Sequence, residues 1–447
     1  MNVHAGAMAR SAFDREIWRL AGPALVTLLA EPVYLLVDTA VVGHLGTPQL
    51  GGLAVASSIL LTAYSLCIFL AYGTTAAVAR LLGADDHREA AHQAVQGLWL
   101  AAGVGVVLAV ALTVASEPLV RALGGEGAVA TNALVYLRIS LVGTPFLLLT
   151  LAGTGYLRGV QDTRTPLLVT VATALLNLVL ELVLVLGFDQ GIGASALGTV
   201  IAQVVGGLVF VRAVGRAAIR DGAGLRPDLR AQRRLLRVGA DLMVRTAALR
   251  GSLVALTAVA ARIGRNEVAA HQIVFEVWNL LAMALDALAI AGQAMVGRLL
   301  GAGRVTDARA ASQRLLVLGL AGSVATSVVV VATSSVLPAL FTPDPEVASL
   351  VRFLLLWAAA LQPLAAVAFV LDGVLIGAGD QRYLARAMVL SALGLAVAIA
   401  PVLPLDLGIG WVWAAFGVLM AVRVATLLAR FRSDRWLVGG ASVSAPT

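Results

Sequence analysis

Runs of about 20 or more apolar residues recur along almost the whole of this chain, each long enough to cross a bilayer as a helix. Such runs can leave water in two ways, into a very large core or into lipid. Composition decides between them. Of 447 residues, 60% are hydrophobic and 13% charged, and the mean hydropathy is +0.93. A soluble fold of this length cannot hide that much apolar surface, so lipid is the solvent for most of it. The runs are apolar on every face instead of alternating, which excludes a membrane β-barrel. The expected fold is an all-α polytopic membrane protein with 12 transmembrane helices. Six spans lie near 17–43, 51–79, 93–115, 132–157, 165–187 and 192–213. Six more lie near 236–261, 268–297, 312–333, 348–375, 383–404 and 408–431.

The chain also contains itself twice, at an offset of 218 residues. Arg80-Leu-Leu-Gly-Ala84 recurs as Arg298-Leu-Leu-Gly-Ala302, and Gly159-Val-Gln-Asp162-Thr-Arg164 as Gly377-Ala-Gly-Asp380-Gln-Arg382. Leu45-Gly46 and Pro145 recur as Ile263-Gly264 and Pro363. A register held without a gap over more than 100 residues marks two homologous halves. Six spans per half is an even number, so both halves enter the membrane in the same orientation and the repeat is parallel. The expected organisation is an N-terminal lobe (1–213), an Arg-rich linker (214–235), a C-terminal lobe (236–433) and a tail (434–447). A duplicated, strongly apolar chain of this size is most simply a transporter with its pathway between the halves.

The formal charge of +7 does not indicate a nucleic-acid partner. All 32 basic residues are Arg; Arg10, Arg15 and Arg19 precede span one, and others follow the even-numbered spans: Arg80 and Arg88, Arg158 and Arg164, Arg298 and Arg304, Arg382 and Arg386, Arg430 and Arg432. The opposite loops hold Arg121, Arg262 and Arg265. This asymmetry predicts cytoplasmic termini in a cell membrane. The stretch from Arg212 to Arg237 carries eight Arg and two Asp and reads as a cytoplasmic linker, an anionic-lipid contact or a hinge. Cys67 is the only cysteine, so no intramolecular disulfide and no Cys-based metal cluster is expected. Met1 to Phe13 lacks the apolar core of a signal peptide, leaving the first span as an uncleaved anchor.

Ionisable side chains at bilayer depth cost about 2.5–3.5 kcal/mol at a helix centre, so each one present is a functional candidate. In the first half these are Glu31 and Asp38 on span one and Glu181 on span five. Tyr34 lies four residues before Asp38, and Asn177 four before Glu181, hence one turn away on the same face. If the two faces meet they form an oxygen-rich pocket able to hold a proton or a Na⁺, with Asp38, Glu181 and Asn177 as the metal-binding set for Na⁺. Local hydrogen bonding that merely fixes helix packing is the plainer role. Positions 218 residues beyond Asp38, Asn177 and Glu181 are Leu256, Leu395 and Ile399, so the acids belong to one half only. The second half carries Asp241, Arg245 and Arg250 on span seven, Glu276 and Asp286 on span eight, and Asp372 on span ten. An Arg paired with Asp286 or Asp372 is either a structural ion pair or a second coupling site, with the structural role favoured because a fixed guanidinium neutralises its carboxylate. Pro23 and Pro32 each delete a backbone hydrogen bond in span one, so the helix carrying Asp38 can bend there.

Enzymatic chemistry finds no support. Gly377-Ala-Gly-Asp380 matches the GxGD string of intramembrane proteases, but it sits at a repeated helix end beside Arg382. There is no phosphate-binding loop, HExxH or GxSxG string, and none of the five His residues reads as a ligand.

Taken together, Glu31-Pro-Val-Tyr-Leu-Leu-Val-Asp38-Thr-Ala-Val-Val-Gly43, Arg80-Leu-Leu-Gly-Ala84, Gly155-Tyr-Leu-Arg-Gly-Val-Gln-Asp162, Ala270-His-Gln272 and Leu371-Asp-Gly-Val-Leu-Ile-Gly-Ala-Gly-Asp380 resemble the multidrug and toxic compound extrusion (MATE) transporters, specifically the DinF-type branch. The resemblance covers residues 15–433. It implies a 6+6 helix, V-shaped fold and export of amphiphilic, often cationic, organic compounds in exchange for H⁺ or Na⁺. It implies a coupling site matched by Asp38, Tyr34, Asn177, Glu181 and Thr199, where members usually have Asp in place of Glu181. It matches Pro23 to a first-helix proline linked to bending, and keeps Asp372 as a second coupling candidate. No cofactor other than the coupling ion is expected. The expected partners are a small-molecule substrate and the lipid bilayer, for a bacterial protein acting as a monomer. A flippase or exporter of a lipid-linked or metabolite substrate is the alternative, although it should line its cavity with several Arg, and those noted within spans are Arg245, Arg250 and Arg423.

Overall fold

The computed structural model describes residues 2–187 and 191–441, without the side chains of 2–11, Glu31, Tyr34, 186 and 187. The first half contains α1 (Asn2–Gly43), α2 (Thr47–Leu66), α3 (Phe69–Gly83), α4 (His87–Val114), the short α5 (Ser116–Ala122), α6 (Gly127–Gly159), α7 (Arg164–Glu181) and α8 (Ile192–Arg220). The second contains α9 (Leu229–Ile263), α10 (Arg265–Gly301), α11 (Val305–Thr333), α12 (Pro345–Gly377), α13 (Gln381–Ile399) and α14 (Gly408–Arg432). Among the described residues, twelve helical segments are long and apolar enough to cross a membrane, with α2 and α3 forming one of them.

The duplication holds at the level of backbone conformation. Thr47 and Gly83 bound the α2–α3 segment and Arg265 and Gly301 bound α10, while α6 and α12 begin and end at the same offset of 218. Left-handed residues recur in register as well: Asp85 with Gly303, Gln161 with Gly379, and Gly222 with Gly440. Asp85 and Gln161 hold φ near +62° without glycine's freedom, so the loop geometry is fixed by the helices it joins.

One expected span differs. The first half breaks at Cys67, whose N–H reaches back three residues to Tyr64 O, whereas the equivalent α10 runs unbroken. Along α2, the hydroxyls of Ser58, Thr62 and Ser65 donate to backbone carbonyls of the preceding turn, a habit that bends helices. Pro23 and Pro32 do not interrupt α1.

The chain packs as two compact units, Val26–Gly239, and Met1–Leu25 together with Ala240–Thr447. Thus α1 and α9 each begin in one unit and finish in the other. Non-helical linker is reduced to the few residues between Arg220 and Leu229. That turn docks on α4: Gln96 Nε2 donates to Arg226 O at 2.9 Å, Trp99 Nε1 to Leu225 O at 2.9 Å, and Asp228 N to Gln96 Oε1 at 2.7 Å. The backbone N–H groups of Arg230 and Ala231 hold the Asp228 carboxyl below the usual aspartate range. The residues after α14 are also anchored. Trp436 is buried, stacks on Phe431 at 5.3 Å and donates Nε1–H to Phe431 O, and Gly440 N donates to Leu300 O.

Packing is closest where glycine removes a side chain from a helix crossing. A Cβ on Gly373 of α12 would lie 2.6 Å from Ala289 Cα of α10. Backbone cannot step aside as a side chain can. Gly373→Ala should therefore cost about 1–3 kcal/mol of stability, read as a lowered Tm of the purified protein.

Candidate functional site

Four helices of the unit Val26–Gly239 bring polar side chains to one buried point: α1 supplies Asp38, α6 Tyr136, α7 Asn177 and Glu181, and α8 Ser195 and Thr199. Ser195 Oγ lies 2.9 Å from Asp38 Oδ1 and 2.9 Å from Glu181 Oε1. Tyr136 donates to Asp38 Oδ2 at 3.4 Å, and Asn177 Nδ2 to Thr199 Oγ1 at 3.1 Å. Asp38 is 2% exposed and Glu181 fully buried, so the acids are withdrawn from lipid as well as from water. Glu181 is the last residue of α7, and a π-helical turn, Leu182–Gly187, follows it at once. Such turns widen the helix locally and recur at functional sites.

The expected meeting of the Asp38 and Glu181 faces is present, and Asn177 and Thr199 join it. Tyr34 and Glu31 carry side chains outside the described residues. Ser195 and Tyr136, which complete the cluster, were not singled out from the sequence. For Ser195 a signal existed, since it lies one turn before Thr199 on the same face of α8. For Tyr136 there was none, because only the packing of α6 against α1 gives it meaning.

Among the described residues, the same framework carries no such site in the other half. Positions 218 residues beyond Asp38, Tyr136, Asn177, Glu181 and Ser195 are Leu256, Leu354, Leu395, Ile399 and Trp413, all within or against one hydrophobic cluster. The scaffold folds with either set, so the acids are not needed to build it.

The second unit has its own buried charges. Asp372 Oδ2 accepts from the Nη2 atoms of both Arg245 and Arg423. The Arg423 guanidinium also lies 5.4 Å from the centre of the Phe369 ring. Asp286 is half-buried on α10. At the repeated helix ends, Asp162 accepts from the backbone N–H groups of Arg164 and Thr165, while Asp380 accepts from Arg430 Nε. Both are local turn and ion-pair residues, which accounts for the GxGD string. His271 is buried within α10, its Nε2 3.2 Å from Thr257 Oγ1.

Solved structures share this architecture. A Vibrio cholerae MATE transporter, VcmN, aligns with TM-score 0.87 at 20% identity, covering 96% of this chain and 98% of that one. A MOP-superfamily transporter from Pyrococcus furiosus aligns with TM-score 0.83 at 21% identity, covering 95% and 96%. The fold is thus a duplicated membrane bundle with twelve candidate spans among the described residues and a carboxylate pair in one unit. A family profile described as MatE matches twice, over residues 23–183 and 242–402, and the chain belongs to that family. It is 32% identical over 428 residues to the DNA damage-inducible protein F of Escherichia coli K12, covering 94% of this chain and 92% of that one. It is 34% identical over 427 residues to the chloroplastic Protein DETOXIFICATION 44 of Arabidopsis thaliana, covering 92% and 80%. Members of the family are transporters, not enzymes.

Proposed function

We propose that this protein exports amphiphilic or cationic organic compounds in exchange for protons, with both termini on the cytoplasmic side. The observation that carries the reading is the placement of one hydroxyl between two carboxyl groups. Ser195 has a single proton to donate, yet lies 2.9 Å from an oxygen of each acid. If both acids were ionised, one of those contacts would set two lone pairs against each other. With one carboxyl protonated, both become hydrogen bonds. The pair is therefore built to share a proton.

Asp38 can accept from both Tyr136 and Ser195. Glu181 fits the protonated member, donating to Ser195 Oγ. A proton arriving on Asp38 removes an acceptor that those two donors need, so α1 must rearrange against α6 and α8. Because α1 begins in the other unit, that rearrangement is felt beyond the site. Proton and substrate then disfavour each other's binding, as reciprocal linkage requires of an antiporter. Bending at Pro23 and Pro32 would ease the movement. Na⁺ is the alternative coupling ion, taking the same oxygens of Asp38 and Glu181 with Asn177.

Liposomes with separately imposed proton and sodium gradients test the reading. A proton gradient alone should drive movement of a cationic dye such as ethidium, and a sodium gradient alone should not. Glu181→Gln should slow proton-driven movement by about tenfold or more, because the amide keeps the donor but cannot give it up. Dye movement driven by sodium and indifferent to pH would reject proton coupling.

A further inference from the structure

The acid pair is not isolated. On α6, Tyr136, Ser140 and Thr144 are spaced four apart, and on α8 so are Ser195, Thr199 and Gln203, giving each helix a polar stripe. The two helices run parallel with their stripes adjacent. A Cβ on Gly143 would collide with Gln203 Oε1, and one on Gly207 would lie 2.8 Å from Phe146 O, so residues about 60 apart in sequence face each other. Tyr136 thus stands by Ser195, Ser140 by Thr199, and Thr144 by Gln203.

Beyond the last rung, Tyr64 of α2 continues the series, its hydroxyl 2.9 Å from Thr144 Oγ1. The stripe from Tyr136 to Thr144 covers about 12 Å of helix at 1.5 Å per residue. Ser140, Thr144 and Ser195 are each no more than 2% exposed. Two polar atoms along this stripe, Ser140 Oγ and Gln203 Oε1, are buried with no hydrogen-bond partner among the described residues. Pro145 lies inside α6 beside the last rung, and having no N–H it deprives Leu141 O of its usual partner. Buried polar groups are rarely left unmet, and ordered water is their common partner in such places.

We propose that the α6–α8 stripe is a hydrated proton path leading from the Asp38–Glu181 pair toward the middle of its unit. Its ligands are water molecules held by Ser140, Thr144 and Gln203. The path rests on the proton-sharing reading of the acid pair and adds a route by which that proton comes or goes. Hydroxyl groups and water accept and donate at the same oxygen, which a relay requires, and the Gln203 amide holds the water in place. A stripe serving only close helix packing would work equally well with apolar side chains of the same size.

The reconstituted full-length protein decides between these roles without knowledge of the transported compound. After a pH jump, infrared absorption follows the carboxyl C=O band, assigned by its loss in Asp38→Asn and Glu181→Gln. Ser140→Ala and Gln203→Met should slow the appearance of that band by about tenfold while leaving its amplitude and the Tm unchanged. Ser140→Thr and Gln203→Glu, which restore exchangeable groups, should recover the rate. Wild-type rates in both apolar variants would overturn the path and leave the acid pair standing. Absence of any band traceable to Asp38 or Glu181 would overturn the acid-pair reading and the path with it.

Discussion

Asp38→Asn is expected to reduce ion-driven export to the level of empty liposomes while leaving the protein inserted and folded. The amide has the volume of the carboxylate, so packing against α6 and α8 is kept. It offers one oxygen where Tyr136 and Ser195 present two donors, and it cannot accept a proton at any working pH. The two states that the acid distinguishes therefore collapse into one. A ligand or ion can shift an equilibrium only by its differential affinity for the two states, and here that difference is gone. The measurement is dye movement under an imposed pH gradient, paired with the Tm of the detergent-purified variant. Export at the wild-type rate would sink the coupling role of Asp38. Its apolar counterpart Leu256 shows that the scaffold does not need an acid there, so loss of activity without loss of fold is the specific expectation.

The second large effect concerns stability. Asp372→Ala leaves Arg245 and Arg423 without the carboxylate they share, in a place where their side chains are 11% and 3% exposed. Removing one partner of a buried charge cluster strands the others at a cost of about 3–5 kcal/mol. The purified variant should show a strongly lowered Tm or fail to accumulate. Replacing the three residues together by apolar ones, as Arg245→Met, Asp372→Leu and Arg423→Met, should recover most of that loss, because no charge then remains to be solvated. This comparison separates structure from coupling. A triple variant that is stable and still exports would assign the cluster to packing, whereas a stable triple variant that does not export would assign it to transport.

Much of this molecule was legible in its residues, and the reasons differ from feature to feature. Lipid forces every spanning backbone to satisfy its own hydrogen bonds, so apolar length alone specifies helices. The repeat of Arg80-Leu-Leu-Gly-Ala84 and of the Asp162 and Asp380 turns fixed a register that the left-handed pairs Asp85 with Gly303 and Gln161 with Gly379 reproduce. Asp38 and Glu181 stood out because a carboxyl in hydrocarbon is costly. Ser195 and Tyr136 did not, since hydroxyls are tolerated anywhere a backbone carbonyl is near. The break at Cys67 left only an indirect trace, the hydroxyls of Ser58, Thr62 and Ser65 where the unbroken α10 carries Glu276, Leu280 and Met283.

What the chain determined by itself was which segments are helices, how often the plan repeats, and which few charges must be accounted for. These follow from local hydrogen bonding and from the mismatch between a charge and oil, both properties of short stretches. Which side chains meet was decided only by tertiary packing. One hydroxyl between two acids, one carboxylate between two guanidinium groups, and the alignment of the α6 and α8 polar stripes all join residues far apart in sequence. Their geometry depends on helix rotation and register, and those are set by close contacts such as Gly143 against Gln203 and Gly373 against Ala289.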